Sequence, residues 1–365
     1  MSKRAAARAS LSNRNENAPS STSKRAAKPP AKAAKVTRIA AKPKAKPNNK
    51  PNTKLDTKPN AKATIRPAAK PALKSERGSK VAKKSKPKTA KSLGSTSQAV
   101  SRPFCIVDAF ASRPGTGNPA AVVLVEGGYP EDEQLQQIAA EFNLSETAFV
   151  LATGQKHKGL PLMGLRWFTP TMEIDLCGHA TMAAMHALQA GVGMKNDAVI
   201  FDTRSGKLPV TRQGQLITLD FPAIIGNQIK VTSAMSAAIG CPVEEAYLAR
   251  DLMLVVDNRR YVYEIKPDFA AMMTLPGMGV AVTAPGSGHD FVSRCFFPKS
   301  GVNEDPVTGS AHCMMAPFWS VLLRRKNLSA HQVSKRGGEI LLEVRDDRVL
   351  LSGHAVLVAV GTLMM

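Results

Sequence analysis

A sequence pattern that occurs twice constrains the fold of this chain more than any other feature. Arg166-Trp-Phe-Thr-Pro170 leads to Cys177-Gly-His-Ala180, and Arg294-Cys-Phe-Phe-Pro298 leads to Thr308-Gly-Ser-Ala311. The first arginines of the two copies are 128 residues apart, and the glycines that follow them are 131 residues apart. This offset is too long for a solenoid repeat and suits two similar lobes. One loop and one helix start from each lobe would then enclose a small ligand.

Positive charge is concentrated at the N-terminal end of the chain. Residues 1–101 contain 27 Lys and Arg but three acidic residues, and the whole chain of 365 residues has a net charge of +22. This segment is rich in Lys, Ala, Pro and Ser, and the first aromatic residue is Phe104. Such a composition buries too little apolar surface to offset the entropy lost on ordering. We therefore predict a disordered basic arm over residues 1–101, followed by a part that suits one large domain or two lobes.

Three interpretations of this arm stay open. Its lysine-rich texture suits binding to a nucleic acid or another polyanion, and Lys83-Lys-Ser-Lys-Pro-Lys88 resembles a nuclear import signal. The start of the arm also resembles an organellar transit peptide, and the third interpretation is a solvated tail without a partner. The arm has no apolar run long enough for a secretory signal or a membrane span. We expect no membrane partner and a location in the cytoplasm or nucleus, with an organelle as the alternative.

The cysteines and histidines do not predict a metal centre. Five cysteines in a chain without a secretion signal indicate reduced thiols inside the cell. The pair Cys177-x-His179 and the adjacent residues His312 and Cys313 match no standard zinc spacing. We therefore expect neither a metal nor another cofactor.

Apolar periodicity predicts an α+β fold. Residues 131–142 have the amphipathic pattern of a helix, whereas 178–188 and 309–323 are apolar nearly all round, as expected for helices in the middle of a lobe. Pro317 predicts a kink or a new start in the last of these helices. Two lobes, each a curled β-sheet around a central helix, satisfy this pattern. The later strands are predicted at residues 199–202, 208–212, 217–221, 279–283, 291–297, 340–345 and 349–351.

The repeated loops carry groups that suit proton transfer on an anionic substrate. Gly178 and Gly309 begin apolar helices, and a helix start presents free N–H groups and partial positive charge to a carboxylate. Each neighbouring polar residue also has a purely structural explanation, such as a helix cap or a turn former. The repeat favours function because it places three of these residues at matching loop ends. The candidate proton-transfer residues are Glu146, His179, Asp305 and Ser310.

At these residues the sequence resembles the phenazine-biosynthesis isomerase (PhzF-like) family. The resemblance covers the chain from about Phe104 to the C-terminus, so that only the arm is outside it. The motifs that carry it occur in order: Val107-Asp-Ala-Phe110, Gly117-Asn-Pro-Ala-Ala-Val122, Asn143-Leu-Ser-Glu-Thr-Ala-Phe149, Arg166-Trp-Phe-Thr-Pro170, Asp175-Leu-Cys-Gly-His-Ala-Thr181, Phe201-Asp-Thr-Arg-Ser-Gly206, Leu219-Asp-Phe-Pro222, Lys266-Pro-Asp-Phe269 and Glu304-Asp-Pro-Val-Thr-Gly-Ser-Ala311.

The resemblance implies a diaminopimelate-epimerase-like fold, in which two pseudo-symmetric lobes hold the site between them. We place the N-terminal lobe at residues 102–212 and the C-terminal lobe at 213–353, with a last strand at about 354–363 that returns to the first lobe. The resemblance further implies a homodimer. Its activity would be a cofactor-independent, metal-free isomerisation of a small metabolite that bears a carboxylate.

Residue roles follow from the same resemblance. Glu146 corresponds to the base that removes a proton from carbon and returns it elsewhere on the same face, assisted by His179, Asp305 and Ser310. We expect substrate contacts from the two helix starts, at Cys177, Gly178, Thr308 and Gly309. A cysteine-based epimerase is disfavoured, because Thr308 stands where the epimerase branch has its second cysteine. The other alternative is a chromatin- or nucleic-acid-associated binding protein that retains the isomerase fold.

Overall fold

The computed structural model describes residues 101–364. The predicted basic arm, its polyanion partners and its transit-peptide alternative therefore lie outside the described residues, apart from Ser101. None of the helices in the described range is long and apolar enough to cross a membrane.

The first half of the described chain forms a sheet with one helix on each face. Helix α1 (Asp132–Phe142) packs through Leu135 and Ile138 against one face, and α2 (Gly178–Ala190) packs against the other. The faces separate because side chains alternate along a strand. The strands are β1 (Ser101–Ala109), β2 (Asn118–Val125), β3 (Glu146–His157), β4 (Leu160–Phe168), β5 (Glu173–Ile174), β6 (Ala198–Thr203), β7 (Gly206–Gln213) and β8 (Leu216–Pro222).

The second half repeats this arrangement around a longer central helix, α6 (Gly309–Leu323), which contacts the last strands of its sheet. Its three shorter helices are α3 (Ser233–Ile239), α4 (Arg259–Glu264) and α5 (Phe269–Thr274). The strands are β9 (Asn227–Ile229), β10 (Glu245–Leu248), β11 (Leu252–Val255), β12 (Val280–Pro285), β13 (Phe291–Phe297), β14 (Val302–Asp305), β15 (Asn327–Gln332), β16 (Gly338–Arg345), β17 (Arg348–Gly353) and β18 (Ala355–Met364).

Strand pairing gives the two lobes the same topology. In the first lobe β2 and β3 are parallel, β3 and β4 are antiparallel, and β4 runs parallel to β6. In the second lobe β11, β12, β13 and β15 pair in the same sequence of directions. β9 pairs with β10 within the second half, whereas the last strand, β18, returns to pair with β1 of the first half. The boundary between the lobes that we predicted after residue 212 falls near the end of β7. The following strand, β8, still packs on α2 of the first lobe.

The central helices are buried because their sequences are apolar on every side. Ten consecutive residues of α2, from His179 to Leu188, are buried, as are the residues of α6 from Ala311 to Trp319. The prediction of a central helix in each lobe is therefore confirmed. Helix α6 does not restart at Pro317, because the Cys313 carbonyl that proline leaves without a donor accepts the N–H of Ile224 at 3.0 Å.

The repeated arginine has the same structural role in both lobes. Arg166 donates through Nε and Nη2 to the two carboxylate oxygens of Glu173, at 2.8 and 2.7 Å. Arg294 forms the matching pair with Glu304, at 2.7 and 2.9 Å. Each guanidinium also lies 5.1 Å from the ring of the phenylalanine two residues later. The R-x-F pattern therefore stacks a cation on an aromatic ring and fixes the loop that leads into the central helix.

Candidate active site

The two repeated helix starts meet at the junction of the lobes. A Cβ atom added to Gly178 would lie 3.6 Å from the Cα of Gly309, so the backbones are in van der Waals contact. Cys177 and Thr308 precede the two helices, and neither caps its helix with a side-chain hydrogen bond. The first N–H groups of both helices therefore have no side-chain cap, which leaves them suited to an anion.

A cleft of about 120 Å³ lies where the helix starts meet. Residues of both lobes line it, and its volume is well below that of sites for drug-sized ligands, so it suits a small molecule. The structure brings together all of the residues that the sequence predicted for the site. Those lining the cleft are Glu146, Cys177, Gly178, His179, Asp305, Thr308, Gly309 and Ser310.

The imidazole of His179 lies between a carboxylate and a thiol. Glu146 is the first residue of β3, and its Oε2 atom lies 3.0 Å from Nε2 of His179. These two buried atoms face each other as an ion pair but make no well-aligned hydrogen bond to any described residue. On the other side of the ring, Nδ1 lies 3.5 Å from Sγ of Cys177. The carboxylate and the imidazole are therefore positioned to act on one substrate.

Asp305 is held by partners from both lobes. Asn118, at the start of β2, donates from Nδ2 to Oδ1 of Asp305 at 2.7 Å and to the Val307 carbonyl at 3.0 Å. The Thr308 hydroxyl donates to the other carboxylate oxygen at 2.5 Å. The Asn118 Nδ2 atom also lies 3.1 Å from Nδ1 of His179. This fully buried asparagine therefore holds Asp305 of the other lobe and lies beside His179.

Burial and neighbouring charge shift the pKa values of these groups. Burial lowers the pKa of His179, but its contacts with Cys177 and Glu146 outweigh this and raise it well above the usual value. Burial raises the pKa of the Cys177 thiol, so this group is uncharged near neutral pH. The contact with Glu146 therefore favours the protonated form of His179. Burial also raises the pKa of Asp305 to about 6, although the positive charge of His179 opposes the shift.

The pKa of Asp305 predicts how stability depends on pH. Between about pH 4 and 6 the folded protein keeps a proton on this carboxyl that the unfolded chain has lost, so the folded state binds more protons. The contribution of Asp305 to the unfolding free energy is therefore greatest below pH 4 and falls as the pH rises to 6. Between about pH 4 and pH 6, we expect the unfolding free energy of the wild type to fall by about 2–3 kcal/mol relative to that of Asp305→Asn. Urea titrations at each pH measure the difference, and a constant difference would contradict the assignment.

Residues 107–361 match the family described as phenazine biosynthesis-like protein, PhzC-PhzF. This match spans more than half of the chain. The chain belongs to the PhzC-PhzF family. The α+β fold that the resemblance implied is confirmed by solved structures of this family.

The match between this PhzF-family chain and individual relatives covers almost the full length of each relative. An uncharacterized isomerase of Pseudomonas aeruginosa is 45% identical over 259 residues, which are 71% of this chain and 97% of that protein. An uncharacterized isomerase of Halalkalibacterium halodurans is 39% identical over 269 residues, covering 72% and 98%. The crystal structure of a PhzF-family protein from Enterococcus faecalis is 46% identical with a TM-score of 0.69, covering 73% and 100%. These relatives support an isomerase-type function for this chain.

Two residues of this PhzF-family site were not predicted from the sequence. Asn118 lies in the motif Gly117-Asn-Pro, but nothing in the motif indicated a partner 187 residues away. Arg250 lines the cleft. When the two lobes are aligned by strand register, the residue of the first lobe that is equivalent to Arg250 is Pro119. The internal repeat therefore gave no signal for a cation there.

One group of side chains in the described part of this PhzF-family chain has metal-binding atoms near one another. The donor atoms of Glu146, Cys177 and His179 lie within 4.8 Å of each other. The two imidazole nitrogens face different partners, Nε2 towards the carboxylate and Nδ1 towards the thiol. A single nitrogen does not face both groups, which is a poor arrangement for three ligands of one ion. The metal-free site stays a prediction of the sequence.

Proposed function

We propose that this protein is a cofactor-independent isomerase that moves a proton within a small carboxylate-bearing substrate held between the lobes. The observation that carries the proposal is the pair Glu146 and His179, whose facing atoms are 3.0 Å apart, buried and without hydrogen-bond partners. Unsatisfied buried polar atoms cost free energy, and a substrate bound in the cleft would satisfy them. The two helix starts would hold the substrate carboxylate through their first N–H groups.

The proton transfer uses a single base. Glu146 removes a proton from one carbon, and the electrons of that C–H bond form a double bond as an existing double bond shifts along the substrate. The same carboxyl then gives its proton to the carbon at the far end of the shifted system. One C–H bond breaks and one forms, so no oxidant or reductant is needed. The His179 imidazolium and the hydroxyl of Ser310 stabilise the negative charge that develops on the substrate carboxylate.

Differences between the lobes support one base rather than two. Phe149 pairs with Arg166 and Val282 pairs with Arg294, so the residue of the second lobe that matches Glu146 is Gly279. A Cβ atom at Gly279 would lie 2.2 Å from the ring of Phe297, which leaves no space for a carboxylate. The position that matches Cys177 is Thr308, whose hydroxyl already donates to Asp305. The second-lobe positions that match Glu146 and Cys177 thus offer no base, which supports return of the proton to the face from which it left.

Isotope exchange tests this proposal. Small unsaturated carboxylates are incubated with the full chain in heavy water, and NMR follows deuterium at their carbon atoms. Conversion of the substrate into its allylic isomer, with any deuterium taken up on a single face, supports the proposal. Inversion of a stereocentre with deuterium delivered from the opposite face would contradict it.

The homodimer is a further part of the proposal, and β18 supports it. Among the described residues this strand pairs with β1 alone, and it contains no charged residue in Ala-Val-Leu-Val-Ala-Val-Gly-Thr-Leu-Met. Val360 and Met364 are about two-thirds exposed. Apolar edge strands without charges are prone to pair with another chain. We propose that two copies associate along this edge.

A charge on this edge should separate the copies. We expect the wild-type chain to be dimeric by light scattering coupled to size exclusion, and Val360→Lys to be monomeric, because lysine places charge in the paired edge. Leu341→Lys is the control, since Leu341 is also an exposed apolar strand residue but lies on β16. A dimer that persists in Val360→Lys would exclude this edge as the interface.

A further inference from the structure

Arg250 is the only lysine or arginine among the described residues that line the cleft. It lies in the turn between β10 and β11, away from both helix starts in sequence. Its backbone is fixed, because its carbonyl accepts the N–H of Met278 at 2.9 Å. Gly277 adopts a φ of +82° beside it, and a Cβ there would lie 3.3 Å from the same carbonyl oxygen. The backbone of the turn therefore packs closely against residues 277 and 278, while about half of the Arg250 side chain is exposed.

The guanidinium of Arg250 has donors to spare. Its Nε atom lies 3.7 Å from Oδ1 of Asp251, which is too far for a hydrogen bond. The same oxygen of Asp251 accepts the N–H of Gly279 at 3.2 Å instead. A guanidinium has five N–H donors and suits bidentate binding of a carboxylate. Arg250 can therefore bind an anion in the cleft without first breaking a hydrogen bond.

The other charges that line the cleft show why a cation would favour binding of an anionic substrate there. Glu146 and Asp305 are acidic, and both would repel an anionic substrate when ionised. The His179 imidazolium offsets one of these charges and lies beside Glu146. The helix starts of Gly178 and Gly309 touch each other and together form one place for a carboxylate. Arg250 supplies positive charge from a separate element of the second lobe.

We propose that Arg250 binds a second carboxylate of the substrate, so that the substrate of this isomerase is a dicarboxylate. The proposal rests on the proposed function, because it assumes that the helix starts hold the first carboxylate. Arg250 then determines substrate class, since a monocarboxylate would not use the hydrogen-bond donors of its guanidinium.

Pairs of ligands with equal carbon number test the proposal. Succinate is compared with butyrate, and glutarate with valerate, by ligand-observed NMR titration of the full chain at constant ionic strength. We expect the wild type to prefer the dicarboxylate in at least one pair. Arg250→Gln should weaken dicarboxylate binding about 10- to 100-fold, the loss for a hydrogen bond to a charged group, and change monocarboxylate binding less than about twofold.

Arg260→Gln is the matched control, because Arg260 is an exposed arginine outside the cleft and the variant carries the same basic arm. It should bind both ligand classes as the wild type does. Equal weakening of both classes in Arg250→Gln would mean that Arg250 shares the first carboxylate, and unchanged binding would mean that it binds none; either overturns the proposal. The two proposals can also fail separately. If Arg250→Gln loses the dicarboxylate preference but the wild type exchanges no carbon-bound proton, the proposed proton transfer is wrong and the role of Arg250 stands.

Discussion

Glu146→Gln should abolish most of the turnover while leaving ligand affinity nearly unchanged. Glutamine keeps the shape and reach of the side chain beside Nε2 of His179 but cannot accept a proton from carbon. General acid–base catalysis contributes about 10²- to 10⁴-fold in rate, so we expect turnover to fall by at least that factor. The measurement is the rate of deuterium incorporation at carbon in heavy water, with carboxylate affinity determined on the same samples.

Cys177→Ser is the matched control for this prediction. Both side chains contact the same imidazole, but the Cys177 thiol is buried and its pKa is raised, so it is not the base in the proposed reaction. We expect Cys177→Ser to retain most of the exchange rate. Loss of exchange in Cys177→Ser together with normal exchange in Glu146→Gln would favour a cysteine-based epimerase and overturn the assignment of Glu146.

Arg336→Met should cause a large loss of stability. Its Nη2 atom donates to Asp108 at 2.7 Å and to the Thr116 carbonyl at 3.0 Å, and its Nε atom donates to the Gly117 carbonyl at 2.8 Å. The Asp108 side chain is only 3% exposed. Removing the arginine leaves a buried carboxylate with the N–H of Gly115 as its remaining donor. We expect the unfolding free energy to fall by about 3–5 kcal/mol in urea titrations.

A second variant separates loss of the ion pair from general disruption. Asp108→Asn combined with Arg336→Met removes both charges and should recover part of the stability lost in Arg336→Met. Arg345→Met is the control, because Arg345 forms an exposed pair with Glu343 and its loss should cost no more than about 1 kcal/mol. Equal stability of Arg336→Met and Arg345→Met would show that Asp108 does not depend on its partner. Since Asn118 follows this loop, Arg336→Met should also weaken carboxylate binding.

Local patterns in the sequence were enough to predict much of the fold. The strand Phe291–Phe297 and the amphipathic helix that ends at Phe142 follow from side-chain periodicity, which depends only on neighbouring residues. The repeated R-x-F-x-P pattern predicted two similar lobes, because the same local sequence forms the same cation–aromatic stack before each central helix. Strands β10 and β11 and the three short helices were not predicted, since each is too short for its period to be distinctive.

The sequence by itself therefore determined the two lobes, their central helices and the identity of the chemical groups at the loop ends. Only the tertiary structure decided how these groups are arranged around one cleft. From its neighbours in sequence, Glu146 is an ordinary acidic residue at the start of a strand. The pairing of β2 with β3 and the packing of α2 bring its Oε2 atom to 3.0 Å from Nε2 of His179. Asn118 and Arg250 enter the site through strand register and a turn of the other lobe. Contacts between residues that are far apart in sequence depend on how the two lobes pack. No local sequence pattern encodes the distance between such residues.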